Sequence, residues 1–282
     1  MRLRDGGRCR LVLGLLTWNS GEASRRALES LQHEARELRS GGADVSIAVC
    51  DNGSTDDTAT LLREQLDLGE DGDALYQLDR NQGPSVGRNV LIDAALAVRA
   101  DAVFFNDADV ICPPGFIPAA LTFLQKSEPM IGCIGSAFAA RNQSLDGSSA
   151  TERVDAVDRS ECRISEYQIP SQLGLFTTEM FLDGVRFETT GAFGQAGWGL
   201  EDTDFAFQML AAGYMPLLVS SFVYFHARSG SSVTQLEAGG HSVSDGYYER
   251  LEILRKKWAD VAPVGTRFLR HLVERNYYDP RL

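Results

Sequence analysis

Short apolar runs alternate with segments of helical periodicity over the first 110 residues of the chain. Each run is bounded by polar or turn-forming residues and has the length of a buried strand. The runs predict strands at Leu11–Thr17, Ser46–Cys50, Ala74–Leu78 and Ala102–Asn106. The segments between them predict helices at Ser24–Arg39, Asp56–Leu66 and Ser85–Arg99. Because strands and helices alternate, the pattern indicates βαβ units and a parallel sheet.

The alternation is lost after Pro113-Pro114, and the patterns beyond it are weaker. They predict helices at Phe116–Gln125, Glu201–Ala212, Glu249–Trp258 and Thr266–Arg275, and strands at Ile131–Ala139, Met180–Phe187 and Leu217–Phe225. The segments 141–160 and 230–246 are polar or rich in glycine and serine, so we expect loops there. The expected fold is therefore α/β, with a Rossmann-type, mostly parallel central sheet, flanking helices and a mixed C-terminal half.

Composition and charge narrow the classes of function. The chain has 282 residues and a formal net charge of −12, so we expect no binding to nucleic acid. No run approaches the ~18 apolar residues of a membrane span, and LVLGLL is short for the core of a signal peptide. The five cysteines lack the spacing of zinc-binding or redox pairs, which favours reduced thiols. We therefore expect a cytoplasmic protein without a membrane span.

Polar clusters follow three of the four predicted N-terminal strands. Thr17-Trp18-Asn19 follows the first strand, Asp51-Asn52-Gly53-Ser54 the second, and Asp107-Ala108-Asp109 the fourth. A single cluster of this kind is most often an ordinary turn. In open α/β sheets, however, ligands bind outside the carboxyl ends of the strands. Three clusters at that end therefore predict a shared binding site.

Asp107 and Asp109 are two residues apart at the end of the apolar run FFNDADV. On an extended segment their side chains would point the same way, and the two carboxylates would repel each other. A hard divalent cation turns that repulsion into shared coordination, and it can neutralise a diphosphate leaving group. The pair therefore predicts a site for Mn²⁺ or Mg²⁺.

Five motifs occur in the order seen in family 2 glycosyltransferases, which have the GT-A fold. They are TWN at 17–19, AVCDNGSTDDT at 48–58, NQGPSVGRN at 81–89, NDADV at 106–110 and GWGLEDTDF at 197–205. From Leu11 to His226 the chain resembles that family, and GWGLED resembles the acceptor-side motif of galactosyl- and N-acetylgalactosaminyltransferases. The resemblance implies a GT-A domain at 1–230, with a nucleotide-binding half at 1–110 and an acceptor-binding half at 111–230. Residues 231–282 would form a mobile loop and C-terminal helices packed on the same domain.

The resemblance implies donor-side and metal-binding roles. The expected nucleotide-binding residues are Thr17, Asn19, Asp51, Asn52, Asn81, Gly83, Arg88 and Asp107. Asp109 is the expected direct metal ligand, with Asp107 beside it. His226, after the apolar run FVYF, is expected to complete the metal site, because neutral imidazole can bind manganese beside carboxylates. His241 is the competing histidine, and 228–246 is a candidate lid.

On the acceptor side, the resemblance points to Asp202 as the catalytic base, with Glu201 binding the acceptor or the sugar. An inverting transfer needs one carboxylate to take the proton from the acceptor hydroxyl. Trp198 would stack on a sugar ring, while Gly197 and Gly199 would allow close approach of the backbone. Asp204 is assigned only a secondary role. The acids could instead stabilise the start of a helix, and retention of configuration also stays open.

These observations lead us to expect a metal-dependent glycosyltransferase that uses a nucleotide-diphosphate sugar. UDP is the expected nucleotide, because a carboxylate at position 51 suits the ring N–H of uracil. The acceptor, whether glycan, natural product, peptide or lipid-linked sugar, stays undetermined, as does the oligomeric state. Two other interpretations are a nucleotidyltransferase on a similar sheet and a non-catalytic carbohydrate- or nucleotide-binding module.

Overall fold

A computed structural model describes residues 8–66, 72–127, 130–136, 153–165, 168–190, 199–219, 225–226 and 247–258. At 225–226 and 247–249 the description covers the backbone only. The predicted helix Thr266–Arg275 and the proposed lid at 228–246 lie outside these ranges. Within them, no helix is long and apolar enough to cross a bilayer.

The first half of the chain is a regular alternation of strands and helices. Its strands are β1 (Arg10–Thr17), β2 (Asp44–Asp51), β3 (Ala74–Gln77) and β4 (Ala102–Asp107). Its helices are α1 (Gly21–Ser40), α2 (Thr58–Gln65) and α3 (Pro84–Ala97). All pairings among these strands, β3 with β2, β2 with β1 and β1 with β4, are parallel. The prediction of a parallel βαβ half is confirmed.

The second half mixes strand directions. It contains the strands β5 (Val110–Ile111), β6 (Ile131–Ser136), β7 (Cys162–Ile164), β8 (Leu173–Thr177), β9 (Met215–Val219) and β10 (Phe225–His226). Its helices are α4 (Phe116–Lys126), α5 (Thr178–Leu182), α6 (Glu201–Ala211) and α7 (Tyr247–Trp258). One eight-stranded sheet has the order β3-β2-β1-β4-β8-β6-β9-β7, and β5 pairs with β10 in a separate sheet. Because β8 is antiparallel to both β4 and β6, the sheet is mixed, as expected for this half.

Hydrophobic side chains of the sheet are buried on both faces. Along β1, Leu11, Leu13 and Leu15 belong to the core that α1 and α4 cover, while Val12 belongs to the opposite core. That second core is covered by α3, α5 and α6. Since side chains alternate across a strand, burial on both faces produces the continuous apolar runs seen in the sequence. Because helices cover both faces of the sheet, polar side chains are accommodated at the carboxyl ends of the strands.

Two sequence-based expectations in the second half need correction. The segment predicted as a strand at Met180–Phe187 contains α5 and a turn at Gly184, where φ is +94°. In this short segment Met180, Phe181 and Val185 are buried while Leu182 is exposed, and so short a pattern does not distinguish a buried helix from a strand. The segment predicted as one strand at Leu217–Phe225 includes residues of β9 and the first residue of β10, which belong to different sheets, and 220–224 lie outside the described residues. The strands β7 and β8 were not predicted.

Candidate active site

The polar ends of β1, β2 and β4 lie side by side. In the strand register Thr17 is opposite Asp51, and Leu16 is opposite Asp107. The three polar clusters therefore lie together at the carboxyl edge of the sheet, as predicted. This convergence follows from parallel pairing, which aligns the ends of neighbouring strands at one edge.

Asp51 ends β2 and is fully buried. Its Oδ1 accepts a hydrogen bond of 3.1 Å from the backbone N–H of Ser54, while its Oδ2 is buried and has no hydrogen-bond partner. A buried carboxylate oxygen without a donor carries a desolvation cost that an N–H group of a ligand would offset. Asp51 thus has an acceptor suited to the ring N–H of a nucleotide base.

Thr17 and Asn19 support the loops around Asp51. The Thr17 hydroxyl is buried and lies 2.6 Å from the hydroxyl of Ser24. Asn19 adopts φ = 45°, a left-handed conformation that asparagine tolerates better than most residues. Its Oδ1 accepts a 2.8 Å hydrogen bond from Thr55 N, which links the loop after β1 to the loop after β2. Their predicted direct contacts with a nucleotide stay predictions.

Asn52 and Asn81 join two loops of the site. The Asn52 amide donates to Asn81 Oδ1 at 3.1 Å and to the Gly83 carbonyl at 3.0 Å. Gly83 has φ = 85° and stands directly before the first residue of α3. Gly53 has φ = 76°, and a Cβ there would lie 2.2 Å from the carbonyl carbon of Arg80, so these backbones need glycine to approach each other. This junction fixes the start of α3, the helix that carries Arg88.

Arg88 lies between the donor-side and acceptor-side motifs. Its Nη2 is 3.3 Å from Asp107 Oδ1, and its Nη1 is 3.2 Å from Asp202 Oδ1 and 3.9 Å from Glu201 Oε1. Burial acts to lower the pKa of Arg88, but the carboxylates of Asp202, Asp107 and Glu201 outweigh it, and the pKa is raised. Arg88 therefore stays charged and joins two motifs that are more than 90 residues apart in the sequence.

Glu201 and Asp202 begin α6 but have different surroundings. The side chain of Glu201 is 10% exposed and that of Asp202 is 37% exposed. Glu201 Oε2 accepts a 2.9 Å hydrogen bond from the backbone N–H of Gly199. Burial and then the Asp202 carboxylate raise the pKa of Glu201 from 4.5 to about 7, against the opposing effect of Arg88. Asp202 is the more accessible of the two carboxylates.

Ser171 is a site residue that the sequence did not reveal. Its hydroxyl donates a 2.7 Å hydrogen bond to Asp202 Oδ2, and its own side chain is buried. Ser171 stands just before β8, in a stretch for which the sequence predicts no helix or strand. No motif marks it, because its position depends on β8 pairing with β4. With Arg88 on one oxygen and Ser171 on the other, the Asp202 carboxylate has a defined orientation.

Asp107 and Asp109 are not on one extended segment, which corrects the geometric argument for their pairing. Asp107 is the last residue of β4, and Ala108-Asp109 form a turn before β5. Asn106 shapes that turn, since its amide donates to the carbonyls of Asp107 and Val110 at 2.8 Å each. The backbone of His226 in β10 pairs with Val110, immediately after Asp109.

The two carboxylates and the histidine offer oxygen and imidazole donors that suit Mn²⁺ or Mg²⁺. The imidazole of His226 lies outside the described residues, so its role in metal binding stays a prediction. Among the described side chains, the one group of three candidate ligands within 4.8 Å of each other is His33, Glu34 and Glu37. Both oxygens of Glu34 accept backbone hydrogen bonds, and Glu37 Oε1 pairs with Arg153 at 2.7 Å, so that group serves the fold.

The remaining predicted acceptor-side residues are only partly described. Gly199 has φ = 106°, a conformation that favours glycine. Gly197, Trp198 and His241 lie outside the described residues. Their proposed contacts with sugar or metal stay predictions.

Residues 14–170 match the family described as Glycosyl transferase family 2, which covers more than half of the chain. The chain belongs to glycosyl transferase family 2. This family 2 enzyme therefore transfers sugar from a nucleotide sugar. The two other interpretations, a nucleotidyltransferase and a non-catalytic binding module, do not agree with this family. No curated protein sequence matches the chain.

Solved structures of similar fold include a mannosyltransferase and two crystal structures of TarS. The mannosyltransferase PcManGT of Pyrobaculum calidifontis, in complex with GDP-Man and Mn²⁺, is 17% identical, with a TM-score of 0.61; the match covers 94% of this chain and 69% of that one. S. aureus TarS is 17% identical, with a TM-score of 0.60; the match covers 96% of this chain but only 44% of TarS. TarS 1–349 in complex with UDP-GlcNAc is 16% identical, with a TM-score of 0.63, over 94% and 73% of the two chains. These likenesses confirm the GT-A-like α/β fold.

Proposed function

We propose that this family 2 enzyme transfers a hexose from a UDP-sugar to an acceptor hydroxyl, with a divalent cation and with inversion at the anomeric carbon. The observation that carries the proposal is the ion cluster around Arg88. It joins Asp107 of the donor-side motif NDADV to Asp202 and Glu201 of the acceptor-side motif GWGLED. An inverting transfer needs the leaving group and the attacking hydroxyl on opposite sides of one sugar carbon, and this cluster brings a carboxylate for each side close together.

The choice of nucleotide rests on Asp51. Its unpartnered Oδ2 is an acceptor at the edge of the sheet, and uracil offers a ring N–H to such an oxygen. Guanine also offers N–H donors to a carboxylate, and the two structural relatives bind a guanosine and a uridine donor. We assign uridine, and the donor comparison below distinguishes the two.

Asp107, Asp109 and His226 are the residues that would hold the cation. When bound, a divalent cation neutralises the charge that develops on the diphosphate as the bond to the sugar breaks. Arg88 keeps Asp107 in place from the protein side, at 3.3 Å. These residues therefore act on the leaving group rather than on the acceptor.

Asp202 is the proposed base. Its carboxylate takes the proton from the acceptor hydroxyl while that oxygen forms a bond to the anomeric carbon, and the bond from that carbon to the diphosphate oxygen breaks. A single displacement of this kind inverts the configuration and leaves the nucleoside diphosphate as product. The greater exposure of Asp202 and the hydrogen bond from Ser171 support this role over Glu201.

The test is metal-dependent turnover of two donors, UDP-GlcNAc and GDP-mannose, with water as the acceptor. We expect release of UDP in the presence of Mn²⁺, its loss with EDTA, and little release of GDP. Turnover of GDP-mannose in preference to UDP-GlcNAc would overturn the uridine assignment. Once an acceptor is found, NMR of the anomeric proton of the product tests inversion, and a product with the donor's configuration would contradict it.

A further inference from the structure

The residue that precedes the two acceptor-side carboxylates has a strained backbone. Leu200 adopts φ = 70°, the left-handed region, which is sterically unfavourable for a residue with a side chain. It stands at the N-cap position of α6, directly before Glu201 and Asp202, and its own side chain makes no capping hydrogen bond. Strain of this kind persists only where surrounding contacts hold it. The direction of both carboxylates therefore depends on what holds Leu200.

Part of that support comes from α7, which is more than 40 residues away in the sequence. Leu200 and Leu210 pack against a small hydrophobic cluster made by Phe207 of α6 and by Leu251, Leu254 and Trp258 of α7. The rings of Phe207 and Trp258 meet edge to face, with centroids 5.7 Å apart. This cluster is separate from the two cores on the faces of the sheet. The side chain of Leu200 is thus packed among residues that α7 supplies.

A buried polar contact connects the same two helices. Asp204 is 1% exposed, and its carboxylate accepts a 2.8 Å hydrogen bond from Trp258 Nε1 and lies 2.9 Å from Lys257 Nζ. The backbone N–H of Asp204 donates to the carbonyl of Leu200 at 2.8 Å. A buried carboxylate without partners destabilises the folded state. Lys257 and Trp258 of α7 therefore stabilise Asp204 in its buried position.

We propose that α7 is a positioning element of the active site, which holds the strained turn at Leu200 and thereby directs Glu201 and Asp202. Asp204, Lys257 and Trp258 are the positioning residues, and none of them needs to touch donor or acceptor. Lys257 belongs to the basic run Arg255-Lys256-Lys257, and its ion pair with the buried Asp204 gives it a role in packing α7 against α6. The effect on turnover rests on the proposed function, but the effect on the turn does not.

Amide hydrogen exchange tests the effect on the turn without any substrate. The substitution Trp258→Phe keeps an aromatic ring near Phe207 but removes the N–H that Asp204 accepts, together with part of the ring volume. We expect exchange of the segment 199–204 to accelerate about tenfold or more, with β1 and β2 unchanged. Arg255→Met is the matched control, because Arg255 is on the same helix, 55% exposed, and pairs with Glu252. It should leave exchange at 199–204 as in the wild type.

Two results would overturn the inference. Faster exchange in 247–258 without a change at 199–204 would mean that α7 packs on the domain but does not hold the turn. An equal acceleration in every segment would mean general destabilisation. Lys257→Met provides a second variant, for which the same pattern is expected.

If the wild-type enzyme hydrolyses UDP-GlcNAc with Mn²⁺, the kinetic constants of Trp258→Phe and the wild type can be compared as a second measurement. Trp258→Phe should lower kcat about tenfold while KM for UDP-GlcNAc stays within twofold, because a small misplacement of the base affects the chemical step more than donor binding. An unchanged kcat would contradict the inference. If the wild type hydrolyses neither donor tested, the proposed function fails while the exchange experiment still decides the role of α7.

Discussion

Arg88 is the single side chain on which the geometry of the site depends most. A buried guanidinium without partners would be strongly unfavourable, and three carboxylates this close together would repel each other without a cation. Together they stabilise each other, and the guanidinium also lies over the ring of Phe187, 5.4 Å from its centroid. The motif NQGPSVGRN indicated that Arg88 belongs to the site but not which carboxylates it contacts.

Replacing Asp202 by Asn tests the proposed base. Asp202→Asn keeps an oxygen that can accept from Arg88 or Ser171 but cannot take a proton from a hydroxyl. We expect metal-dependent turnover of UDP-GlcNAc to fall by about 10²–10⁴-fold, the usual contribution of a general base. Calorimetric affinity for UDP with Mn²⁺ should stay close to that of the wild type.

Asp155→Asn is the matched control for that substitution, since Asp155 is 86% exposed and forms an ion pair with Arg153. It makes the same change of charge outside the site and should leave turnover unchanged. Wild-type turnover in Asp202→Asn would show that another group takes the proton.

Glu201 predicts a dependence of stability on pH. Its pKa in the folded protein is about 7, above its ordinary value of 4.5. Between these two pH values the folded state therefore holds a proton on Glu201 that the unfolded state has released. Stability from this group is therefore present below pH 4.5 and is lost as the pH rises to about 7. The variant Glu201→Gln should lose less thermal stability than the wild type between pH 5 and pH 8.

Thermal unfolding at several pH values measures this effect, with Glu64→Gln on the exposed face of α2 as the control. If the difference in Tm between Glu201→Gln and the wild type is the same at pH 5 and pH 8, the raised pKa of Glu201 is wrong.

Among the elements, α1 and α4 are joined by one buried acid. Glu34 of α1 is fully buried, and its two oxygens accept hydrogen bonds from Gly115 N at 2.7 Å and Ile117 N at 3.0 Å. It therefore caps the beginning of α4 from a neighbouring helix. Burial raises the pKa of Glu34, while the two backbone N–H groups oppose that rise. Gly115 has φ = 78°, and Glu34 supplies the cap that the adjacent sequence lacks.

Glu34→Ala should lower the free energy of unfolding by about 2–4 kcal/mol, because two buried N–H groups lose their acceptor. Urea unfolding measures the loss. Glu29→Ala is the control on the same helix, since its side chain is 67% exposed, and it should change stability by less than about 0.5 kcal/mol. Folded Glu34→Ala should keep its affinity for UDP, because Glu34 faces the core opposite α6; a large loss of affinity would contradict that separation.

At the scale of the whole molecule, the donor site and the fold should be coupled through binding. Donor-side residues come from the ends of three strands, so UDP and a cation bound there would stabilise the folded state relative to the unfolded state. At a UDP concentration about 100 times the dissociation constant, the gain is about 2.7 kcal/mol, or a rise in Tm of about 5 °C. Differential scanning fluorimetry with UDP, with and without Mn²⁺, measures it.

Asp109→Ala should remove the Mn²⁺-dependent part of that rise, while Asp93→Ala, a 72% exposed aspartate of α3, should retain it. An unchanged Mn²⁺ effect in Asp109→Ala would mean that Asp109 is not a metal ligand.

The local pattern of the sequence was sufficient for the N-terminal half of the fold. Parallel strands buried on both faces produce uninterrupted apolar runs, and the polar residues that end them mark one edge of the sheet. This is why the positions of Asp51, Asp107 and the turn-forming glycines could be predicted. The order of the five motifs was enough to predict the family, because motif residues are adjacent or nearly adjacent in the sequence.

Only the tertiary structure decided how distant segments meet. The contact of Arg88 with Asp202, the hydrogen bond from Ser171, and the contacts of Trp258 and Lys257 with Asp204 join residues separated by 31 to 114 positions. Such contacts depend on β8 pairing antiparallel to β4 and on α7 packing against α6. The hydrophobic pattern within a single strand or helix does not predict which other element it will contact. The strand order β4-β8-β6 is likewise decided by pairing between segments that are distant in the sequence. The helix at Thr178–Leu182 was not predicted, because so short a segment is compatible with either a helix or a strand.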